Sequence, residues 1–318
     1  MQRKHRITGN SITANNKKYF SEVFEDSQET FFKKFLKRSA RQSLVLIKFM
    51  KHERIYLTEA NEDAYIDTYI ADPTAEYTRK GLLVIPGGGY EFVCSEREGE
   101  PIALAFMPYG FNCFVLHYSV SRKRTFPAQL IEASAAMKHI RDNAEKYGID
   151  PEKVFAVGFS AGGHLTGSLG TLWHLPQVYD ALEMPYGYNK PTGIMMIYPV
   201  VTADMRHAHR GSFLALSGLD DPTPEELEPM SLEKHVDERS APLFLVHTSD
   251  DACVPVMNSL LMAQAYSAAG KKFELHVYPS APHGMALGND ITAGGTAAFS
   301  SPVLSGWVKA AAEWSEGV

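Results

Sequence analysis

The sequence has few cysteines, lacks a long apolar run and carries no excess of basic residues. Its three cysteines, Cys94, Cys113 and Cys253, contain no C-x-x-C pair, and their odd number leaves at least one thiol outside any disulfide. This usage predicts a reducing, cytoplasmic setting. No stretch approaches the roughly 18 apolar residues of a membrane-spanning helix. With a net charge of −6, neither a nucleic acid nor a membrane is expected as a stable partner.

Motifs for binding phosphate groups or metal ions are also missing. The sequence has no G-x-x-x-x-G-K-[ST] stretch and no G-x-G-x-x-G in a strand–helix unit. Asp204, His207 and His209 lie close together in the sequence, but no second group of ligands accompanies them. We therefore expect a surface loop there instead of a metal site. The sequence predicts no metal and no cofactor.

Charge is distributed unevenly along the 318 residues. The first fifty contain eleven Lys and Arg and four Asp and Glu, a balance of +7, so the remainder carries −13. We predict a basic, poorly ordered N-terminal extension over residues 1–50 and a single domain over residues 51–318. Residues 31–38 are also compatible with a short basic amphipathic helix for a membrane surface or a partner. They lack the apolar core and cleavage site of a secretory signal.

Apolar segments alternate with helical patterns along residues 51–318, which predicts an α/β fold with a mostly parallel sheet covered by helices on both faces. Strands are predicted at residues 64–70, 81–86, 112–118, 153–158, 193–198, 242–247 and 273–278. Helices are predicted at residues 128–147, 161–172, 256–269 and 302–315. Residues 173–192 and 202–240 do not fit this alternation. We expect them to form a cap or the walls of a pocket, because each follows a strand at the edge where such sheets bind ligands.

The most informative motif is Gly158-Phe159-Ser160-Ala161-Gly162. It follows the apolar run at residues 154–157 and precedes a helix pattern, which is the context of a G-x-S-x-G nucleophile elbow. A sharp turn between strand and helix would expose the Ser160 hydroxyl, and the helix N-terminus would favour a developing negative charge. The alternative is a glycine-rich turn with an incidental serine.

An acid and a base follow Ser160 in the order that such a site requires, namely serine, then carboxylate, then histidine. Asp250 and Asp251 come directly after an apolar strand, and His283 follows the last predicted strand in a turn-rich loop. We favour Asp251 as the acid, but the residues leave Asp250 open. Either aspartate could instead cap a helix or form a turn.

Three glycines end the strand at residues 81–86. In Pro86-Gly87-Gly88-Gly89-Tyr90 the backbone can turn its N–H groups towards one point, because no side chain obstructs it. We expect these groups and the N–H of Ala161 to form an oxyanion hole, in which each donor is worth about 3–4 kcal/mol in the transition state. A plain glycine-rich loop is the alternative.

Together these parts resemble the α/β-hydrolase fold, and more narrowly the bacterial esterase and lipase-like branch that includes acetyl-xylan and other carbohydrate esterases. The resemblance implies Asp251 as the acid and Gly88 and Gly89 as oxyanion donors. The sequence differs from the lipase-like esterases at Pro86, where those proteins usually carry histidine. This difference favours the carbohydrate-esterase branch. The similar stretches are scattered between about residues 80 and 290. They are residues 86–90, 97–101, 126–129, 158–164, 198–200, 247–255, 258–260 and 283–284.

The sequence therefore predicts a serine hydrolase that cleaves small carboxylic esters, with acetyl esters of sugars or oligosaccharides as the implied substrates. Tyr90, Arg97 and Glu98 are candidate substrate contacts beside the glycine loop. An arylformamidase-like amidase or a peptidase on the same fold would use the same residues. A non-catalytic binding module would be expected to lack one of the three reactive side chains. Homo-oligomer formation stays open.

Overall fold

Nine strands lie in the part of the chain that the computed structural model describes, which comprises residues 50–57, 61–73 and 77–318. Residues 1–49 of the predicted N-terminal extension lie outside the described residues, so the boundary between this extension and the domain stays a prediction. The strands are Met50–Lys51 (β1), Arg54–Tyr56 (β2), Tyr65–Ala71 (β3), Arg79–Ile85 (β4), Phe111–His117 (β5), Ile149–Phe159 (β6), Ile194–Ile197 (β7), Leu243–Thr248 (β8) and Phe273–Tyr278 (β9).

From β3 onward the strands form one sheet in the order β3-β5-β4-β6-β7-β8-β9, and β2 pairs with β3. Strands β4 to β9 run parallel to one another, whereas β3 is antiparallel to both β2 and β5. The chain reverses its direction of progress across the sheet at β4, which lies between β5 and β6. The carboxyl ends of parallel strands next to such a reversal are where open α/β sheets bind ligands.

Eleven α-helices accompany the strands in the described residues. They are Ser95–Glu98 (α1), Glu100–Phe106 (α2), Ala128–Asp142 (α3), Ala144–Tyr147 (α4), Ser160–Thr171 (α5), Pro176–Ala181 (α6), Arg210–Ser217 (α7), Pro224–Leu227 (α8), Met257–Ala268 (α9), Asp290–Ala293 (α10) and Trp307–Trp314 (α11). None of them is long and apolar enough to cross a membrane.

Successive strand residues point to opposite sides of the sheet, and both sides are packed against other parts of the fold. On one face, Leu83 and Ala156 belong to a buried cluster with Leu130 of α3 and Leu165 of α5. On the other face, aromatic rings pack against α11. Trp314 lies 6.3 Å from the ring of Phe155 and 5.7 Å from that of Phe244. The predicted α/β class with a mostly parallel central sheet is confirmed.

The seven predicted strands are present with ends shifted by a few residues, and the helix predicted at 128–147 is divided into α3 and α4. The helices at residues 95–106, 176–181, 210–217, 224–227 and 290–293 were not predicted. The first of these is rich in charged residues and contains Gly99 and Pro101, two residue types with low helix propensity. In the fold Pro101 lies in the first turn of α2, where a missing N–H and a preset φ favour helix formation.

Candidate active site

Ser160 lies at the junction of β6 and α5, with the strained backbone angle φ of 53°. A positive φ is costly for a residue with a side chain. The two flanking glycines allow the turn to close this tightly. A Cβ on Gly158 would lie 2.2 Å from the Gly162 carbonyl oxygen, and a Cβ on Gly162 would lie 2.2 Å from the Ile85 carbonyl oxygen. The G-x-S-x-G pattern is therefore a packing requirement of this turn.

The candidate nucleophile, base and acid meet at the carboxyl edge of the sheet. His283 Nε2 lies 2.8 Å from Ser160 Oγ, and His283 Nδ1 lies 2.7 Å from Asp251 Oδ2. The other carboxylate oxygen of Asp251 accepts hydrogen bonds from the backbone N–H groups of Cys253 and Val254, both at 2.9 Å. The three predicted side chains thus form one continuous chain of hydrogen bonds.

Asp251 is held in its ionised form. Burial opposes its charge, but hydrogen bonds from His247 and His283 outweigh this effect, so the pKa of Asp251 lies well below its ordinary value. His247 is fully buried and donates from Nε2 to the Val254 carbonyl at 2.9 Å. That Nε2 also lies 3.6 Å from Asp251 Oδ2. A carboxylate in this state can orient and stabilise an imidazolium.

The neighbouring Asp250 has a different position. Its Oδ1 accepts a hydrogen bond from the backbone N–H of Ala281 at 3.2 Å, and its Oδ2 accepts one from Ser280 Oγ at 2.5 Å. Both partners lie in the loop that leads to His283. Asp250 therefore ties that loop to the end of β8, and the structure brings only Asp251 to the His283 ring.

The glycine loop after β4 has a backbone conformation that favours glycine. Gly88 and Gly89 have φ angles of 127° and 65°, and a Cβ on Gly88 would lie 2.1 Å from the carbonyl oxygen of Phe92. Among the described residues, the N–H groups of Gly88 and Gly89 donate to no other protein group. Ala161 follows the candidate nucleophile in the first turn of α5, where helix N–H groups lack internal partners.

Glu98 joins the glycine loop to the histidine loop. Its Oε2 accepts a hydrogen bond from the Gly87 N–H, and its Oε1 accepts one from the Tyr198 hydroxyl, both at 2.8 Å. The Tyr198 oxygen in turn accepts from the Ala286 N–H at 2.9 Å, three residues after His283. Burial raises the pKa of Glu98. Glu98 lines the pocket, but both carboxylate oxygens are engaged within the protein.

Arg97 makes a second connection between the same loops. Its guanidinium donates to the carbonyl of Gly284 at 2.5 Å and to the carbonyl of Thr292 at 3.2 Å. It also lies 4.6 Å from the ring centre of Phe299. Arg97 lines the pocket too, and its charged group is directed to the backbone that follows His283.

Tyr90 does not line the pocket wall, contrary to the expectation of a substrate contact. It is 2% exposed, and its hydroxyl donates to His164 Nδ1 at 2.8 Å. His164 Nε2 donates to the Met230 carbonyl at 2.7 Å, which leaves Nδ1 as the acceptor. Burial lowers the pKa of His164 to about 4, so the ring is neutral. Tyr90 and His164 therefore support the glycine loop and the elbow from within the core.

A pocket of about 420 Å³ lies over Ser160 and His283. Its wall includes Phe92, His209 and Cys253, none of which the sequence identified as part of the site. Of the two stretches expected to form pocket walls, residues 202–240 contribute through His209 and Gly211, and residues 173–192 do not reach this pocket. Metal-binding groups of three or more His, Cys, Asp or Glu are absent from the part of the chain that the structure describes.

Residues 66–266 match the BD-FAE family. The chain belongs to this family of α/β-hydrolases. Its relatives include endo-1,4-beta-xylanase B of Butyrivibrio fibrisolvens, which is 41% identical over 67% of this chain and 33% of the relative. They also include an acetylxylan esterase of Xylanibacter ruminicola, 30% identical over 66% of this chain and 42% of the relative. The chain thus spans about a third to two fifths of these curated relatives.

A solved structure with the same fold is an acetyl ester-xyloside bifunctional hydrolase from Caldicellulosiruptor lactoaceticus. It is 32% identical, covers 83% of this chain and 96% of its own, and superposes with a TM-score of 0.70. An α/β-hydrolase from a Medee basin deep-sea metagenome library is 29% identical, with 85% and 98% coverage and a TM-score of 0.69. The predicted family resemblance is confirmed by these matches.

Proposed function

We propose that this protein is a serine esterase that cleaves acetyl esters of sugars or short oligosaccharides. The observation that carries the proposal is the position of His283, whose two ring nitrogens lie 2.8 Å from Ser160 Oγ and 2.7 Å from Asp251 Oδ2. A hydroxyl, an imidazole and an ionised carboxylate in this order form the arrangement of acyl-transfer enzymes that use a serine nucleophile.

In the first step, His283 Nε2 removes the proton from Ser160 Oγ while Oγ attacks the ester carbonyl carbon. The carbonyl oxygen becomes negatively charged and receives hydrogen bonds from the N–H groups of Gly88, Gly89 and Ala161. The carboxylate of Asp251 stabilises the imidazolium that forms. The tetrahedral intermediate then collapses, and His283 donates its proton to the departing alcohol oxygen.

The second step releases the acid. The acetyl group is now bonded to Ser160 Oγ, and the departed alcohol leaves space for a water molecule next to His283 Nε2. His283 removes a proton from this water as its oxygen attacks the acyl carbon, and the same three N–H groups bind the oxyanion again. His283 then returns the proton to Ser160 Oγ as acetate leaves. No cofactor takes part in this sequence.

Two observations support acetylated sugars as the substrates. The pocket of about 420 Å³ is at the small end of the 300–1,000 Å³ range of ligand pockets. The relatives named above include an acetylxylan esterase and an acetyl ester-xyloside hydrolase.

The three cysteines are free, which supports a reducing, cytoplasmic setting.

The test compares wild type with Ser160→Ala on p-nitrophenyl acetate, butyrate and octanoate and on acetylated xylo-oligosaccharide. We expect acetate to be the preferred p-nitrophenyl ester and kcat to fall by about 10⁴ or more in the variant. Ser267→Ala, an exposed change in α9, is the control and should retain full activity. Turnover of formanilides or peptides instead of esters would favour the amidase or peptidase alternative. The absence of any turnover that depends on Ser160 would contradict the proposal and favour a binding module.

A further inference from the structure

His209 is a polar residue of the pocket that the mechanism above does not use. It is the N-cap residue of α7, where its side chain accepts a hydrogen bond from the backbone N–H of Ser212. The accepting atom is Nδ1, at 3.3 Å from that nitrogen and 2.8 Å from Ser212 Oγ. Since Nδ1 is an acceptor, the neutral ring carries its proton on Nε2.

The ring lies next to the candidate oxyanion hole. Its Cε1 atom is 4.0 Å from the point that a Cβ on Gly89 would occupy, and His209 lines the same pocket as Ser160 and His283. Within the described part of the chain, Nε2 has no hydrogen-bond partner. The residue is only partly buried and lines the pocket, so its side chain is accessible to a bound molecule.

His209 is suited to donate a hydrogen bond and not to act as a second base. Burial lowers its pKa, and the nearby His283 lowers it further, although Asp251 has the opposite effect. These effects together favour the neutral form of the ring. Two other polar side chains of the pocket wall, Arg97 and Glu98, already bind groups of the protein, whereas the Nε2–H of His209 does not.

We propose that His209 Nε2–H binds a free hydroxyl oxygen of the substrate beside the ester that is cleaved. The inference rests on the proposed esterase function and adds a specificity-determining residue to it. The ester carbonyl oxygen must lie at the Gly88 and Gly89 N–H groups, and the His209 ring is adjacent to Gly89. A hydroxyl on the sugar carbon adjacent to the one that bears the acylated oxygen is the group that comes close to this position. Such a donor favours partially acetylated polyols over esters without a neighbouring hydroxyl.

The test separates the two functions of the ring. In His209→Asn, the amide oxygen replaces Nδ1 as the helix cap, but the shorter side chain removes the donor from the pocket. In His209→Gln, the amide nitrogen replaces Nε2–H as the donor, whereas the cap is lost. The substrates are p-nitrophenyl acetate, a monoacetylated methyl xyloside with free neighbouring hydroxyls, and its fully acetylated counterpart, measured as initial rates.

We expect His209→Asn to lower kcat/KM about tenfold for the monoacetylated xyloside, the effect of one lost hydrogen bond. The rates for p-nitrophenyl acetate and the fully acetylated xyloside should fall by a clearly smaller factor. His209→Gln should retain most of the activity on the monoacetylated xyloside and show a lower melting temperature. Equal losses on all three substrates in His209→Asn, or no loss on any, would overturn the inference while leaving the esterase function intact. If wild type cleaves none of the three, both proposals fail.

Discussion

Replacing Asp251 with Asn should remove most of the activity and leave the loop after β8 in place. In Asp251→Asn, the amide oxygen can still accept from the Cys253 and Val254 N–H groups, now 2.9 Å from Oδ1. The opposite orientation of the amide would direct its NH₂ group at these two donors and leave both unsatisfied, at about 1–3 kcal/mol each. The amide nitrogen must therefore face His283 Nδ1.

This orientation changes the tautomer of His283. An amide NH₂ can only donate, so Nδ1 becomes the acceptor and the ring proton moves to Nε2, 2.8 Å from Ser160 Oγ. Nε2 then no longer has a lone pair with which to remove the serine proton. A wrong tautomer of this kind lowers kcat by about 10⁴ in a serine-histidine-aspartate site, which corresponds to about 5.5 kcal/mol of transition-state stabilisation.

The matched control is Asp250→Asn, because Asp250 is the adjacent residue and binds only Ser280 and Ala281 of the histidine loop. Its side chain is exposed, so we expect an effect of about 0.5 kcal/mol, or about twofold in rate. Both variants are assayed for kcat on p-nitrophenyl acetate, with the melting temperature as the measure of folding. More than a tenth of wild-type kcat in Asp251→Asn, at an unchanged melting temperature, would refute the tautomer argument. A larger loss in Asp250→Asn would assign the acid to Asp250.

Two further variants test the loops around the candidate nucleophile. Gly88→Ala should lower kcat by about 10²–10³, the effect of one lost oxyanion donor, because the φ of 127° and a backbone oxygen 2.1 Å from the new Cβ force the loop to move. The control is Gly306→Ala, which has no atom within 4 Å of its Cβ. Equal kcat values in the two variants would contradict this expectation. Tyr198→Phe removes the hydroxyl between Glu98 and the Ala286 N–H and should destabilise the protein by about 1–3 kcal/mol in urea unfolding. An unchanged unfolding midpoint would show that this bridge adds no stability.

Sequence reasoning identified the parts of the site that depend on local patterns. Apolar runs marked the parallel strands, and the glycines around Ser160 marked a turn that only small residues permit, since a Cβ at Gly158 would lie 2.2 Å from the Gly162 carbonyl. The order of Ser160, an aspartate and His283 followed from the same reasoning, because each comes after a strand and parallel strands end at one edge. These features are determined by neighbours in the chain, so they can be read without the fold.

Tertiary structure decided which side chains meet at that edge. Asp250 and Asp251 are adjacent in sequence but bind different loops, because successive side chains point in different directions. The hydrogen bond between Glu98 and Tyr198 joins residues a hundred positions apart, and no local sequence pattern predicts it. Tyr90 follows the glycine loop, yet its ring turns into the core to reach His164. Such pairings depend on how loops from separate strands pack against one another, which periodicity and motif spacing do not encode.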